Sequence, residues 1–553
     1  MTAAGDTGIH PLPIAPTTAP TDPIIQPDAD SARTGGPLLR AALRMALVLL
    51  LGVAVLRWLG DAVQILRDPN GGFDFISYYA AALALRDNPA ANIYDLHTLQ
   101  MAALAHHAAY PGTRYMYPPL LAVALMPLTW LPAGVALRIW AVFNLLLWLA
   151  CLMLITRLLR SLLVAARPAR VWRLDADTRL FLISIVAFLA LTYDPVAAGI
   201  GLGQINVVIC FLVLLALNLD RRGHPGPAGA VLALASLIKV YPLLILGYYL
   251  LRGRWRVLRG GMIALAVLLL GMFPVLGVQG LLMTSGFFAA GDTAVVLGHN
   301  EALLRAPIWL ATLAGSQPGT AASVLGVALV ALVSLAFVVG VLWAARIQTV
   351  PRDGAARGWD IRVRWRIASG SDGRGDVEGV FGYLWALCTM VLVAPVSWEH
   401  AYTWLLPALI LGFGYALLAG AGSWRRTTLL LAILTLSYAL TTADFPLGFD
   451  HTDQLAAGAT VLGYPLRPIF MLARPLGAVL LWAAMGWLFL TACRAARGAI
   501  AAGAATKPQL RLTPRRLAVV LVGLLGTVVL VRGAIVAVIV LYGAAYSPTV
   551  LLR

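Results

Sequence analysis

The chain has 553 residues, 60% of them hydrophobic and 12% charged, with a mean hydropathy of +0.84. That composition excludes a soluble globule, and apolar segments near the roughly 20 residues needed to cross a bilayer recur along the whole length. The formal net charge of +17 does not indicate nucleic-acid binding, because the arginines sit between apolar segments rather than in one basic domain, as the positive-inside rule would have them.

Residues 1–36 are rich in Pro, Thr, Ala and Asp and lack an apolar run, so a disordered cytoplasmic tail is expected over 1–38. No cleavable signal peptide is expected ahead of the first apolar helix, which begins near Leu39. Apolar segments follow near 39–59, 117–157, 180–194, 204–219, 228–250, 260–277, 319–345, 379–395, 401–421, 427–441, 471–491 and 517–544. An all-α polytopic membrane protein with about 12–14 transmembrane segments is the expected fold. Six arginines lie from Arg157 to Arg179, four from Arg252 to Arg259 and seven from Arg346 to Arg374, with six cations from Arg494 to Arg516. By the charge rule these connectors face the cytoplasm.

Loops 60–116, 278–318, 396–400 and 442–470 then face outward. That parity needs an odd number of crossings within 117–157, although Pro127 and Pro132 split it into two legs. It also needs 228–250 to rise to about Lys239 and return, beside Pro242; such broken helices are tolerated where they line a cavity. The rival, two ordinary crossings, leaves the six arginines of 157–179 outside.

The first outer loop reads as structured. After Asn70-Gly71-Gly72, the residues Phe75, Tyr78, Tyr79, Ala82 and Leu85 recur at helical spacing, which predicts a helix along the membrane surface. Asp74 stands at its start, where capping and chemistry compete and can coexist. Asn92-Ile93-Tyr94-Asp95 opens a second helix with Asp95 as cap. Tyr115-Met116-Tyr117-Pro118-Pro119 returns the chain to the membrane in an extended, proline-stiffened approach.

Lys239 is one of only two lysines and lies inside the apolar stretch 231–250. An ammonium at membrane depth costs roughly 2.5–3.5 kcal/mol unless it lines a polar cavity or meets an anion. Lys239 therefore suggests a buried site for a negative group, against the alternative of snorkelling to an interface. Gln204 and Asn206 follow the bend at Gly199–Gly203, where amides either meet a ligand or cap their own helix. Asp194, before Pro195, reads equally as a cap. Cys151, Cys210, Cys388 and Cys493 lie in or beside apolar runs without CxxC spacing, so neither a disulfide framework nor a zinc site is indicated. The eight histidines are scattered and no metal site is expected. There is no GxGxxG, and Asp28-Ala29-Asp30 lies in the tail. Arg532, in the last apolar segment, has no evident role.

Several of these segments carry a resemblance. FDFISYYAAALAL from Phe73, then NIYD and YMYPPLLAVALMPLTWLP, are similar to the opening of glycosyltransferase family 87. GLGQINVVICFLVLLAL at 201–217, ASLIKVYPLLILGYYLLRGRWR at 235–256, GHNEALLRAP at 298–307 and APVSWEHAYTWLLPAL at 394–409 resemble its later motifs. One departure is Ala394-Pro395 and His400-Ala401 where the family usually has Ser-Pro and paired histidines, which bears on acceptor recognition.

The resemblance implies a GT-C type enzyme that moves a sugar from a polyprenyl-phosphate donor to a glycolipid or lipid-linked glycan acceptor. The reaction belongs on the extracytoplasmic face of the bacterial inner (plasma) membrane, with membrane lipids as the other partner. It also implies Asp74 as catalytic base and His400 as part of the site. The domains then read as a GT-C catalytic module over 39–277 including outer loop 60–116, a second outer loop over 278–318, and a C-terminal transmembrane module over 319–553. Mannose is preferred to arabinofuranose because mannosyl donors serve more of the family. No cofactor is expected, the lipid-linked sugar being a substrate.

The chemistry agrees with these residue types. Inverting transfer needs one carboxylate to take the acceptor proton, a contribution of about 10²–10⁴-fold. Unlike the two-carboxylate glycosidases, the phosphate leaving group needs positive charge or hydrogen-bond donors rather than an acid. Lys239 and His400 are the expected donor-phosphate residues. Tyr78, Tyr117, Gln204, Asn206, Asn300, Trp398 and Glu399 are the expected sugar or acceptor contacts, although interface aromatics are commonly anchors and Glu399 also reads as a solvated rim residue. The competing classes are a lipid transporter or flippase, which would also use charges in polar cavities, and an inactive scaffold in which Asp74 only caps.

Overall fold

The computed structural model describes residues 37–67, 72–110, 112–166, 176–282, 300–316, 319–347, 377–418, 423–442, 460–461, 464–502 and 514–546. Residues 1–36 of the expected tail, residues 283–299 and 317–318 of the second outer loop and the side chain of Arg532 lie outside these. Apart from one antiparallel pair of two-residue strands at Thr460–Val461 and Tyr464–Pro465, the regular elements described are helices.

The chain opens with α1 (Pro37–Arg67), α2 (Phe75–Asp87), α3 (Leu96–Ala105) and α4 (Pro119–Leu125), then a 3₁₀ helix over Met126–Trp130. Next come α5 (Ala133–Ala166), α6 (Ala176–Leu191), α7 (Asp194–Gly201), α8 (Asn206–Arg221), α9 (Pro225–Ile238), α10 (Leu243–Leu251) and α11 (Trp255–Leu282). A second half holds α12 (Ala306–Leu313), α13 (Thr320–Ile347), α14 (Val377–Leu392), a 3₁₀ helix over Glu399–Leu405, α15 (Leu406–Leu418), α16 (Trp424–Thr441), α17 (Leu466–Ala502) and α18 (Pro514–Tyr546).

Six of the described helices are long and apolar enough to cross a membrane, or seven if α6 and α7, bent by 42°, form one broken span. The chain is therefore a multi-pass, all-α membrane protein. Four shorter apolar helices accompany these spans, so the described residues hold fewer segments than the 12–14 expected. Within 117–157 only α5 has the length to cross. The leg before Pro132 breaks into α4 and a 3₁₀ turn because Pro127 removes a backbone donor. The stretch 228–250 breaks at Lys239–Pro242 into α9 and α10.

Small residues set the closest helix contact. A Cβ on Gly229 of α9 would lie 1.8 Å from the Val257 carbonyl oxygen of α11, and one on Gly260 would lie 2.1 Å from that of Gly226. Only glycine permits this backbone approach, the usual device for helix association in lipid. One buried core runs from Leu43 to Val528, so the apolar interior is continuous across the expected boundary between the two modules.

The helix expected on the membrane surface differs from expectation. α2 exists, but Phe75, Ser77 and every residue from Tyr78 to Leu85 are buried, so it presents no broad lipid or solvent face. The reason is its composition: Ala80, Ala81 and Ala84 fill the face opposite the aromatics, which lets α3, α4 and the 126–130 turn close around it.

Candidate functional site

The site grows from the turn between α7 and α8. Gly203 has φ +72°, and a Cβ there would sit 2.6 Å from Phe75 Cβ. Glycine alone meets both constraints, and it lets the start of α2 lie directly on the turn. The Gly72 N–H donates to the Gly201 carbonyl at 3.0 Å, the Asp74 N–H to that of Leu202 at 3.0 Å, and Trp140 Nε1 to that of Gly203 at 2.7 Å. Asp74 and Gln204 are thus held on one backbone junction although 130 residues apart in sequence.

Asp74 occupies the N-cap position of α2 without its side chain bonding to that helix. Instead Gln204 Nε2 donates to Asp74 Oδ2. The Gln204 Oε1 accepts from the hydroxyls of Tyr78 at 3.1 Å and Tyr117 at 3.0 Å. Burial pushes the Asp74 carboxyl up to about 6, against the opposing pull of the Gln204 hydrogen bond and the Lys239 charge. Proton affinity near the working pH suits a general base. Asp95, by contrast, is a plain cap, accepting from the Thr98 N–H at 2.9 Å, as expected from its position.

Lys239 follows the last residue of α9, where the helix breaks. Its Nζ donates to Asn206 Oδ1 at 2.9 Å. Three rings surround it, those of Trp404 at 5.0 Å, Tyr117 at 5.4 Å and Tyr241 at 5.8 Å to the centroid. Such faces stabilise a desolvated ammonium without taking up its N–H donors. Trp404 Nε1 in turn donates to the Asn206 carbonyl at 3.0 Å, while the Asn206 Nδ2, fully buried, has no protein partner. Neither Gln204 nor Asn206 caps its helix; the capping alternative is set aside by the bonds they make. Tyr117 stands between the two groups, its hydroxyl on the Asp74 side and its ring toward Lys239.

His400 is buried on the 3₁₀ helix that also carries Trp404, with Cβ packed against Gly199. That helix is tied to α7 by Thr403 Oγ1, which donates to the Pro195 carbonyl at 3.0 Å. The ring of Trp398 lies 5.7 Å from that of His400. Two expected contacts have other work. Asn300 holds the turn before the 3₁₀ helix: Nδ2 donates to the Pro395 carbonyl at 2.9 Å, and Oδ1 accepts from the Ser397 and Ala302 N–H groups at 3.0 Å each. Its amide is committed to backbone rather than directed at a sugar. Glu399 is not a solvated rim acid but a partner of Arg474 NH2 at 3.2 Å, and Arg474 also pairs with Glu301. Asp194 is structural, pairing with Arg57 and accepting from Thr442 Oγ1 at 3.3 Å.

Sequence reasoning missed Tyr241, Trp404, Glu301 and Arg474. Arg474 carried the same signal as Lys239, a basic residue inside the apolar stretch 471–491. Tyr241 and Trp404 carried none, because aromatics are common in such segments. Among the described residues no three His, Cys, Asp or Glu side chains converge on a common point.

A carboxylate of near-neutral proton affinity and an ammonium with N–H donors to offer form a site able to take a proton from one group and neutralise an anion. The model of glycosyltransferase family 87 matches residues 115–360, a span that includes Tyr117, Gln204, Asn206 and Lys239 but neither Asp74 nor His400. A polyprenol-phosphate-mannose-dependent alpha-(1-2)-phosphatidylinositol mannoside mannosyltransferase of Mycobacterium tuberculosis is 28% identical over 58% of this chain and 66% of its own length. The protein of the same description from Mycolicibacterium smegmatis is 28% identical over 63% of this chain and 73% of its own. A pentamannoside mannosyltransferase of that organism is 25% identical over 54% and 60%. The alignments therefore span about two thirds of these relatives' lengths. No solved structure matches the chain significantly. The chain is therefore similar to glycosyltransferase family 87 over residues 115–360, and to mannosyltransferases that depend on polyprenol-phosphate-mannose over somewhat more than half of its length.

Proposed function

We propose that this chain transfers mannose from a polyprenyl-phosphate donor to a hydroxyl of a phosphatidylinositol-mannoside type glycolipid at the extracytoplasmic face of the plasma membrane. The donor and acceptor classes are those that its relatives' names carry. One observation above the others supports the chemistry: Asp74 and Lys239 are gathered around Tyr117, with no ion pair between them. A carboxylate locked in a salt bridge would be a poor base, and a lysine so paired a poor phosphate ligand.

The steps follow from these positions. An acceptor hydroxyl on Asp74 gives its proton to the carboxylate as its oxygen bonds to the anomeric carbon of mannose. The bond from that carbon to the phosphate oxygen breaks, and polyprenyl phosphate leaves with the electron pair. Lys239 neutralises the charge that develops there, with the buried Asn206 Nδ2 as a second donor; stabilisation of this kind is commonly the largest single contribution to a transfer rate. Gln204 holds Asp74 through Oδ2, which leaves Oδ1 for the acceptor. His400, on the helix that carries Trp404, would complete the donor side.

The test is transfer by the purified full chain from polyprenyl-phosphate-mannose to phosphatidylinositol mannosides, read by mass spectrometry. A product heavier by one hexose is expected, and Asp74→Asn should lower its rate by about 10²–10⁴-fold while donor binding persists. Mannose that never leaves the donor for any glycolipid, or transfer from polyprenyl-phosphate-arabinose alone, overturns the assignment. An Asp74→Asn chain as fast as the parent removes the base.

A further inference from the structure

Tyr117 meets both halves of the site. Its hydroxyl donates to Gln204 Oε1 at 3.0 Å and lies 3.0 Å from the Tyr78 hydroxyl. Its ring faces Lys239 Nζ at 5.4 Å. The residue is itself fixed: the Tyr94 hydroxyl donates to the Tyr117 carbonyl at 3.1 Å, and the Tyr78 ring packs edge-on at 4.9 Å between centroids.

The hydroxyl has an orienting task that follows from hydrogen-bond chemistry. A carboxylate only accepts, so the Gln204 atom turned toward Asp74 must be the amide nitrogen. The amide oxygen is then aimed the opposite way, where an acceptor needs donors. Tyr117 and Tyr78 are those donors. Without them Gln204 could turn, and its oxygen against the Asp74 carboxylate would be a repulsive contact in a half-buried setting. The ring has a separate task. The Lys239 ammonium has one hydrogen bond to the described residues, at Asn206, so its direction depends on the three rings that surround it.

We infer that Tyr117 is a positioning residue with two separable parts, the hydroxyl orienting the base Asp74 through Gln204 and the ring face holding Lys239 toward the donor phosphate. This rests on the roles proposed above for Asp74 and Lys239. It replaces the expectation that Tyr117 binds sugar, since its hydroxyl is already engaged.

Five variants separate the parts: Tyr117→Phe, Tyr117→Leu, Gln204→Leu, the Tyr117→Phe/Gln204→Leu double variant, and Asp74→Asn as the reference. Tyr117→Phe keeps the ring, so kcat should fall about 3- to 10-fold, the scale of one hydrogen bond, with donor KM within about twofold of the parent. Its acid limb should move to higher pH, because a less firmly held Gln204 stabilises the carboxylate less. In the Gln204→Leu background the same change should cost nothing more, since coupled groups are not additive. Tyr117→Leu should also raise donor KM by roughly 3- to 30-fold, the scale of a lost cation–π contact.

Three results overturn the inference: a Tyr117→Phe profile identical to the parent, additive losses in the double variant, or equal donor KM for Tyr117→Phe and Tyr117→Leu. If Tyr117→Leu gives no folded peak, the Tyr117→Phe/Gln204→Leu comparison still decides the hydroxyl part. An active Asp74→Asn chain instead removes the base assignment itself, so the two failures are distinguishable.

Discussion

Asp74→Asn should make the protein more stable while it destroys transfer. The carboxyl rises from the usual 3.8 to about 6 because burial disfavours its charged form. The folded state therefore holds this proton more tightly than the unfolded chain, and ionising it works against folding. The penalty is absent below about pH 4, where both states are protonated, grows between pH 4 and 6, and is complete above about pH 6. At about 1.4 kcal/mol for each tenfold change in proton affinity, the ceiling is about 3 kcal/mol. Because the side chain keeps a partly accessible edge, a gain of about 1–3 kcal/mol is the realistic range. Asparagine removes the charge in both states and still offers an amide oxygen to Gln204 Nε2. For a chain of this length that corresponds to about 1–3 °C in the unfolding midpoint. Thermal unfolding in detergent, parent against variant at pH 8 and again at pH 4, measures it. The reasoning is refuted if the variant melts at or below the parent at pH 8, or if an equal gain persists at pH 4.

Other outcomes follow from the same geometry. Transfer by the parent should rise with pH through about 6 as Asp74 ionises, so a kcat profile flat between pH 5 and 7 would exclude Asp74 as the base. Arg474→Met strands the buried Glu301 and should destabilise by about 3–5 kcal/mol; adding Glu301→Gln should recover much of that in the same unfolding assay. Gly203→Ala forces a side chain into φ +72° and against Phe75, so a loss of about 1–3 kcal/mol, with reduced transfer from a displaced α2, should appear in melting and activity together. Asp95→Ala removes an exposed cap of α3; it should cost about 1 kcal/mol and leave kcat within about twofold, which separates the two aspartates that open adjacent helices.

Composition and periodicity carried the membrane fold, because burying an apolar helix in lipid needs no long-range information. The break at Lys239 was legible for a related reason: a cation followed by Tyr241-Pro242 inside an apolar run cannot continue a plain helix. Asp74 was legible as the start of a helix, yet the alternatives of cap and catalyst could not be separated locally. What bears on them is distant in sequence: Gln204, from the turn between α7 and α8, takes the Asp74 side chain in place of the helix, and α2 approaches Gly203. The burial of α2 was hidden because its alanines read as a neutral face until three neighbours close on them. The aromatic setting of Lys239 was hidden too, since Trp404 reaches it from a segment 165 residues later in the chain.

Lys239 and Arg474 show why a basic residue in an apolar helix does not by itself announce its use. Arg474 is buried and Lys239 half-buried, and both adjoin the segment 396–405. Arg474 reaches Glu399 at its start, while Lys239 touches Trp404 near its end and Tyr241, whose hydroxyl donates to the Val396 carbonyl at 3.3 Å. Arg474 is matched by two carboxylates, so its charge is neutralised within the protein and its fork is engaged. Lys239 is met by an amide oxygen and three neutral rings, with Asp74 acting on it only at a distance. Its charge is tolerated rather than cancelled, which is what the proposed role toward a donor phosphate requires. The distinction lies in the partners' charge, which no local stretch of sequence states: Arg474 is bound into the folded framework, while Lys239 keeps the charge that the proposed transfer would use.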